Sequence, residues 1–263
     1  MKGCFIVFEG IDGSGKTEQL NRLEKNLRKE NYDVIHTIEP TKTLMIGSLI
    51  RNILYKKIEV TEEALALLFA ADRAEHTKKK IIPALQTGAI VLSDRYVYSS
   101  LAYQSKGMRK ELNFEWIKKI NQYAISPNLV IFLDIPPKVG LERLKNGQIR
   151  IQDHTFFEDL IRQEKIRSAY YNIFNLNNNP NLWDFLTDIK KIKINKYMEM
   201  KRLKNTLILR IDGTLSKDDI EKRILTFVRQ YLTDLNVLKI QGNKPQIQKL
   251  HIFNNNNISE SKP

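Results

Sequence analysis

The chain has 263 residues, 42% of them hydrophobic and 28% charged, and its 43 Lys and Arg exceed its 30 Asp and Glu to give a formal charge of +13. This composition is that of an ordinary globular protein with length enough for its own core, and no apolar run approaches the roughly 18–20 residues of a membrane span. A lone cysteine, Cys4, excludes an internal disulfide, and histidines 36, 76, 154 and 251 lack zinc-ligand spacing. A reducing, cytoplasmic setting is therefore expected, and the first nine residues do not read as a secretory signal.

In chain order, Cys4–Glu9 is a short apolar run stopped by Gly10, which predicts a buried strand. Glu18–Glu30 carries Leu20, Leu23 and Leu27 at helical spacing. Asp33–Ile38 reads as a second strand and Leu44–Leu54 as a helix. Thr61 is placed to cap a long helix whose first turn holds Glu62 and Glu63. Ala89–Ser93 and Leu129–Leu133 predict the third and fourth strands, each running into an aspartate, Asp94 or Asp134. Helices are expected over 137–146 and 155–175, a fifth strand over Thr206–Ile211, and a helix over 216–232 opened by Ser216 and Asp219. This alternation predicts an α/β fold of three layers, a five-stranded parallel sheet with helices on both faces. One domain is expected over 1–235, with an insertion at 176–206 entered through the Asn-rich stretch 175–181. The segment 236–263 reads as a basic, disordered tail. The insertion carries a net charge of +4 and the tail +3. Such basic segments usually form solvated faces, so no nucleic-acid partner is expected.

Gly10-Ile11-Asp12-Gly13-Ser14-Gly15-Lys16-Thr17 fits the P-loop pattern G-x-x-x-x-G-K-[ST], between a predicted strand and a predicted helix. Glycines at these positions let successive backbone N–H groups curl around phosphate oxygens at the positive end of the helix. Lys16 would reach the β- and γ-phosphates of ATP, and the Thr17 hydroxyl would ligate Mg²⁺. Asp94 and Arg95 end the third strand, where parallel sheets collect ligands. Asp94 suits Mg²⁺ or its waters and Arg95 a bidentate grip on an acceptor phosphate; a structural ion pair is the plainer reading. Phe69 and Arg73 lie four apart on one helix and so share a face. They could stack on and hydrogen-bond a base, or be a core aromatic and an ion-paired arginine.

The ordered set Phe8 to Thr17, Glu39-Pro40-Thr41, Leu68 to His76, Asp94-Arg95-Tyr96 and Ala102-Tyr103-Gln104 closely resembles the thymidylate kinase family, with Ile211-Asp212-Gly213 similar to its late I-D-A turn. The resemblance implies a P-loop nucleoside-monophosphate-kinase fold with a short lid. It implies ATP- and Mg²⁺-dependent phosphorylation of dTMP to dTDP, for dTTP synthesis, by a homodimer. By resemblance, Asp12 accepts from the acceptor's 3′-hydroxyl, and Glu39-Pro40 covers the monophosphate. Phe69, Arg73, Tyr103 and Gln104 hold the base and sugar, and Arg143 lies near adenine. The chain also departs from the family. Ile38 stands where bacterial and archaeal relatives carry arginine before Glu-Pro, and Lys42 is the nearest candidate to compensate. Gly13 stands where the eukaryotic type carries arginine. Catalytic charge is then expected from the lid, where Arg150-Ile151-Gln152 resembles Arg-Ile-Glu. Lys16, Arg95 and Arg150 are the expected catalytic residues. No matched motif falls in 176–206, so the insertion is expected to be dispensable. Two other readings are a kinase for another nucleotide or deoxynucleoside, and a catalytically silent P-loop protein that binds nucleotide or nucleic acid.

Overall fold

The structure is a computed structural model that describes residues 3–107, 111–146, 153–176, 192–195, 197–203 and 205–239. Its elements run β1 (Cys4–Glu9), α1 (Lys16–Lys29), β2 (Val34–Ile38), α2 (Met45–Leu54), α3 (Glu62–His76), α4 (Ile82–Gln86), β3 (Ile90–Asp94), α5 (Val97–Ala102) and α6 (Phe114–Ile120). They continue with β4 (Leu129–Asp134), α7 (Pro137–Asn146), α8 (Asp153–Ile173), β5 (Ile192–Asn195), β6 (Met198–Leu203), β7 (Thr206–Asp212) and α9 (Lys217–Asp234). Five strands are parallel in the order β2-β3-β1-β4-β7, with β1 at the centre.

The central strand shows why the sheet is covered twice. Side chains alternate across a strand. Phe5 and Val7 join one buried cluster with Phe132, Tyr170 and Phe174, while Ile6 and Phe8 join a second with Leu20, Leu23 and Leu27 of α1 and Ile224 and Val228 of α9. Each such fully buried side chain contributes about 1.5–3 kcal/mol. The predicted caps form: Thr61 accepts from the amide of Ala64 at 3.2 Å and Ser216 from that of Asp219 at 3.1 Å.

The expected count of five strands is corrected to seven among the described residues. The insertion contributes β5 and β6, which pair antiparallel with each other and, through β6, with β7. The sequence Ile-Lys-Ile-Asn followed by Met-Glu-Met-Lys alternates with period two, the mark of a half-buried strand. Pairing there also satisfies backbone groups along the β7 edge. Of the 236–263 segment, residues beyond 239 lie outside the described residues.

Candidate active site

The P-loop connects the end of β1 to the start of α1, and its glycines take conformations closed to most side chains. Gly13 has φ +75° and Gly15 φ +92°. At Gly13 space is also lacking, because a Cβ there would lie 2.2 Å from the carbonyl oxygen of Gly140 on α7. The arginine that the eukaryotic type carries at this position does not fit this backbone. Lys16 is buried, and its Nζ donates to the carbonyls of Gly10 (3.1 Å) and Ile11 (2.8 Å) and to Ser14 Oγ (3.3 Å). Burial and then the charge of Arg95 bring its ammonium down to about 8.

Two polar clusters flank the loop. Thr17 Oγ1 donates to Asp94 Oδ2 at 2.5 Å, so a hydroxyl from the start of α1 meets a carboxylate from the end of β3. Both are hard oxygen donors. Among the described residues no group of three or more His, Cys, Asp or Glu gathers to hold a metal. A site of one carboxylate and one hydroxyl suits Mg²⁺, which keeps several waters and takes few protein ligands. In the second cluster Arg95 Nη2 donates to Asp12 Oδ1 at 2.5 Å and to Tyr103 OH at 3.2 Å. Tyr103 OH in turn donates to Asp12 Oδ1 at 3.0 Å. Gln163 of α8 binds Asp12 twice, donating Nε2 to Oδ2 at 2.9 Å and accepting the Asp12 amide at 3.3 Å. Burial opposes ionisation of Asp12, but Arg95 and Lys16 outweigh it and hold the carboxyl below its usual range.

Arg95 itself sits at φ +70°, a left-handed conformation that costs a non-glycine residue about 1–3 kcal/mol and is concentrated at functional sites. Its surroundings enforce it: its amide donates to Phe8 O at 3.0 Å, and its carbonyl accepts from Ser93 Oγ at 2.8 Å. Arg95 Nη1 donates to Ser99 Oγ (3.0 Å), which donates to the buried carboxylate of Glu9 (2.6 Å). Glu9 also accepts from the amides of Tyr96 and Ser99 and from Tyr170 OH. The carboxylate of β1 thus caps α5. Burial pushes the Glu9 carboxyl up despite these bonds.

Asp12, Gly13, Lys16, Thr17, Glu39, Asp94 and Arg95 meet in one cleft of about 540 Å³. Glu39 precedes a cis peptide to Pro40 and is buried, accepting from Arg73 Nε (2.8 Å) and lying 3.0 Å from His76 Nδ1. Arg73 is 2% exposed, and its guanidinium also bonds Asn121, Ser100 and the Tyr96 carbonyl. It supports the Glu39-Pro40 loop from behind. Phe69 packs, half-buried, against Ile50, Ile53 and Leu65 rather than lining this cleft. Gln104 is buried, with its Oε1 unpartnered. Arg143, three residues after Gly140 on α7, donates to Gly213 O at 3.0 Å. Arg150 lies outside the described residues.

Lys42 is exposed and stands apart from the cleft walls. The cation found beside Glu39-Pro40 is Arg51 of α2, whose guanidinium bonds the carbonyls of Pro40 and Thr41. Sequence reasoning missed Arg51 because it searched next to the loop rather than on the following helix. Arg162 and Gln163 of α8, also missed, complete the wall. They lie on the helix that packs against α5 and α7.

The thymidylate kinase family model matches residues 8–194 of this chain. A probable thymidylate kinase of Pyrococcus abyssi is 46% identical over 175 residues, which cover 65% of this chain and 82% of that protein. A probable thymidylate kinase of Pyrococcus horikoshii is 45% identical over 177 residues, covering 65% and 82% respectively. A thymidylate kinase of Geobacillus sp. strain WCH70 is 44% identical over 178 residues, covering 66% and 83%. The match takes in the cleft from Glu9 to Gln163, and it settles the lineage: the chain belongs to the thymidylate kinase family.

Proposed function

We propose that the cleft carries out the reaction of its family, the ATP-dependent phosphorylation of dTMP to dTDP, with the P-loop as donor site and the Asp12–Arg95–Tyr103 cluster as acceptor site. The observation that carries this reading is that cluster, a guanidinium held against the P-loop by a carboxylate and a phenol. Lys16 turns from its loop carbonyls to the β- and γ-phosphates. Arg95 and Arg51 orient the acceptor phosphate in line, its oxygen being already anionic and needing no general base. Asp12 accepts from the 3′-hydroxyl, and the Tyr103 ring, 4.8 Å from the Arg95 guanidinium carbon, excludes a 2′-hydroxyl by bulk. Mg²⁺ held through Thr17 and Asp94 would neutralise charge between the two sets of phosphate oxygens. Arg150 is the lid cation in this scheme. Alignment and charge neutralisation carry such reactions, with little covalent chemistry.

The test is an acceptor panel of dTMP, dUMP, dCMP, UMP and thymidine with labelled ATP. dTMP is expected to give the highest kcat/KM. Preference for another acceptor would replace the reading, and no transfer to any of them would end it. A homodimer is proposed with it, supported by the exposed apolar residues Met45, Leu49, Leu54, Tyr55 and Leu67 on and after α2 and α3. Light scattering should return twice the chain mass. A cytoplasmic setting is proposed on the single buried thiol of Cys4.

A further inference from the structure

The insertion reaches the P-loop end of the sheet through Tyr197, the residue before β6. β6 pairs with β7 from Leu203 opposite Thr206 to Met198 opposite Ile211. That register carries Tyr197 to the end of the sheet where the P-loop, Asp94 and Asp134 lie. There the amide of Asp212 donates to the carbonyl of Tyr197 at 3.0 Å. The next residue, Gly213, donates its amide to Asp134 O at 2.8 Å and accepts from Arg143 Nη2 at 3.0 Å. A Cβ on Gly213 would come within 3.6 Å of the Ser14 carbonyl, so this turn lies against the P-loop itself. Tyr197 is held in place by α9: the Arg223 guanidinium carbon stands 5.1 Å from its ring centroid, and Arg223 Nη1 reaches Met198 Sδ at 4.0 Å.

These contacts divide the loop between two partners. Arg95, Tyr103 and Gln163 gather on Asp12, whereas Gly213 stands at Ser14, with Arg143 bonded to it. On the reading proposed above, with the acceptor on the Asp12 side, the donor's nucleoside is assigned to the Gly213 side of the loop.

We propose that Tyr197 is a positioning residue for the donor nucleotide: the hairpin supplied by the insertion braces the Asp212–Gly213 turn and, through it, Arg143. This rests on the P-loop being the ATP site, as proposed above. It revises the expectation that 176–206 is dispensable.

The experiment compares wild type with Tyr197→Ala, Tyr197→Phe and Arg223→Met, all as full-length protein. It measures KM for ATP and for dTMP, and by calorimetry the Kd of ADP and of dTMP. Tyr197→Ala and Arg223→Met each remove the ring–guanidinium contact and are expected to raise the ATP KM and ADP Kd about two- to fivefold. Both dTMP constants should stay at wild-type values, and Tyr197→Phe, which keeps the ring, should behave as wild type. ADP affinity unchanged in both loss variants, or equal losses for ADP and dTMP, would overturn the proposal. Should Tyr197→Ala fail to fold, Arg223→Met decides alone. A wild type that binds ADP but phosphorylates no dTMP would defeat the acceptor reading and leave the ADP comparison able to decide this one.

Discussion

Gly13→Ala is the substitution whose cost follows most directly from the backbone. Gly13 adopts φ +75°, and holding an L-residue in a left-handed conformation costs about 1–2 kcal/mol. The new Cβ would also stand 2.2 Å from Gly140 O and 2.8 Å from Gly140 Cα. Both are backbone atoms of α7, so the loop or the helix must retreat, at about 1–3 kcal/mol for overpacking. The sum is about 2–5 kcal/mol, or a fall in Tm of about 4–20 °C for a chain of this size. Gly15→Ala is the control, because Gly15 has φ +92° but nothing within 4 Å of a Cβ, and should show the conformational cost alone. Gly140→Ala attacks the same contact from the other side, its Cβ falling 2.5 Å from Asp12 O. Once one substitution has parted loop and helix, the second meets less resistance, so the double variant should lose less than the sum. Scanning calorimetry on ligand-free protein reads all four. A Gly13→Ala no less stable than Gly15→Ala would refute the claim that loop and helix are locked together.

Lys16 should give the enzyme an alkaline limit. Its ammonium lies at about 8 because of burial and then Arg95. The free enzyme loses this charge as pH rises through that value, and kcat/KM for ATP should fall above pH about 8; a profile flat to pH 10 would contradict it. The stability contribution runs the other way. A depressed lysine binds fewer protons folded than unfolded between about 8 and 10.5, so this group's destabilising effect is present below 8 and relieved as pH rises across that window. Arg51→Ala should raise the KM for dTMP by about tenfold or more, as expected from losing a charge-assisted bond of about 1.5–3 kcal/mol. Lys42→Ala should leave that constant unchanged, and the reverse result in dTMP titrations would return the role to Lys42.

The five parallel strands and the P-loop were legible because each is encoded locally, four of the strands as apolar runs that meet a glycine or an aspartate, β2 as a β-branched run before Glu39-Pro40, and the loop as a contiguous octet. What the sequence concealed depends on pairing across distance. The six residues of α5 are too few to show helical periodicity, and the helix is capped by Glu9, some ninety positions earlier. Arg51 and Gln163 enter the cleft from helices whose placement only the packed sheet determines. Phe69 and Arg73 share a helix face as expected, yet Arg73 is consumed by Glu39, Asn121 and Ser100. Spacing shows which way a side chain leaves its helix and is silent on what meets it. The hairpin is hidden for a different reason: its lysines alternate with its apolar residues, so the segment reads as a basic stretch before it reads as a strand.

The cations of the cleft are held by the protein's own acceptors, and this bears on how the site works. Lys16 rests on the Gly10 and Ile11 carbonyls, Arg51 on those of Pro40 and Thr41, and Arg95 on Asp12 and Ser99. A free lysine or arginine side chain carries about 2 kcal/mol of rotamer entropy, much of which is already lost in such a setting. Phosphate oxygens therefore replace one set of oxygen partners with another and need not order the donors. Asp12 has a further part in this. Arg95 pushes the Lys16 charge down while Asp12 supports it, so the carboxylate lets two cations stand at one phosphate site without expelling each other's charge. Its double bond to Gln163 and its bond from Tyr103 fix that counter-charge in place. A carboxylate tethered on three sides, between Lys16 of the P-loop and Arg95 at the end of β3, is the group through which the two halves of the cleft are electrostatically joined.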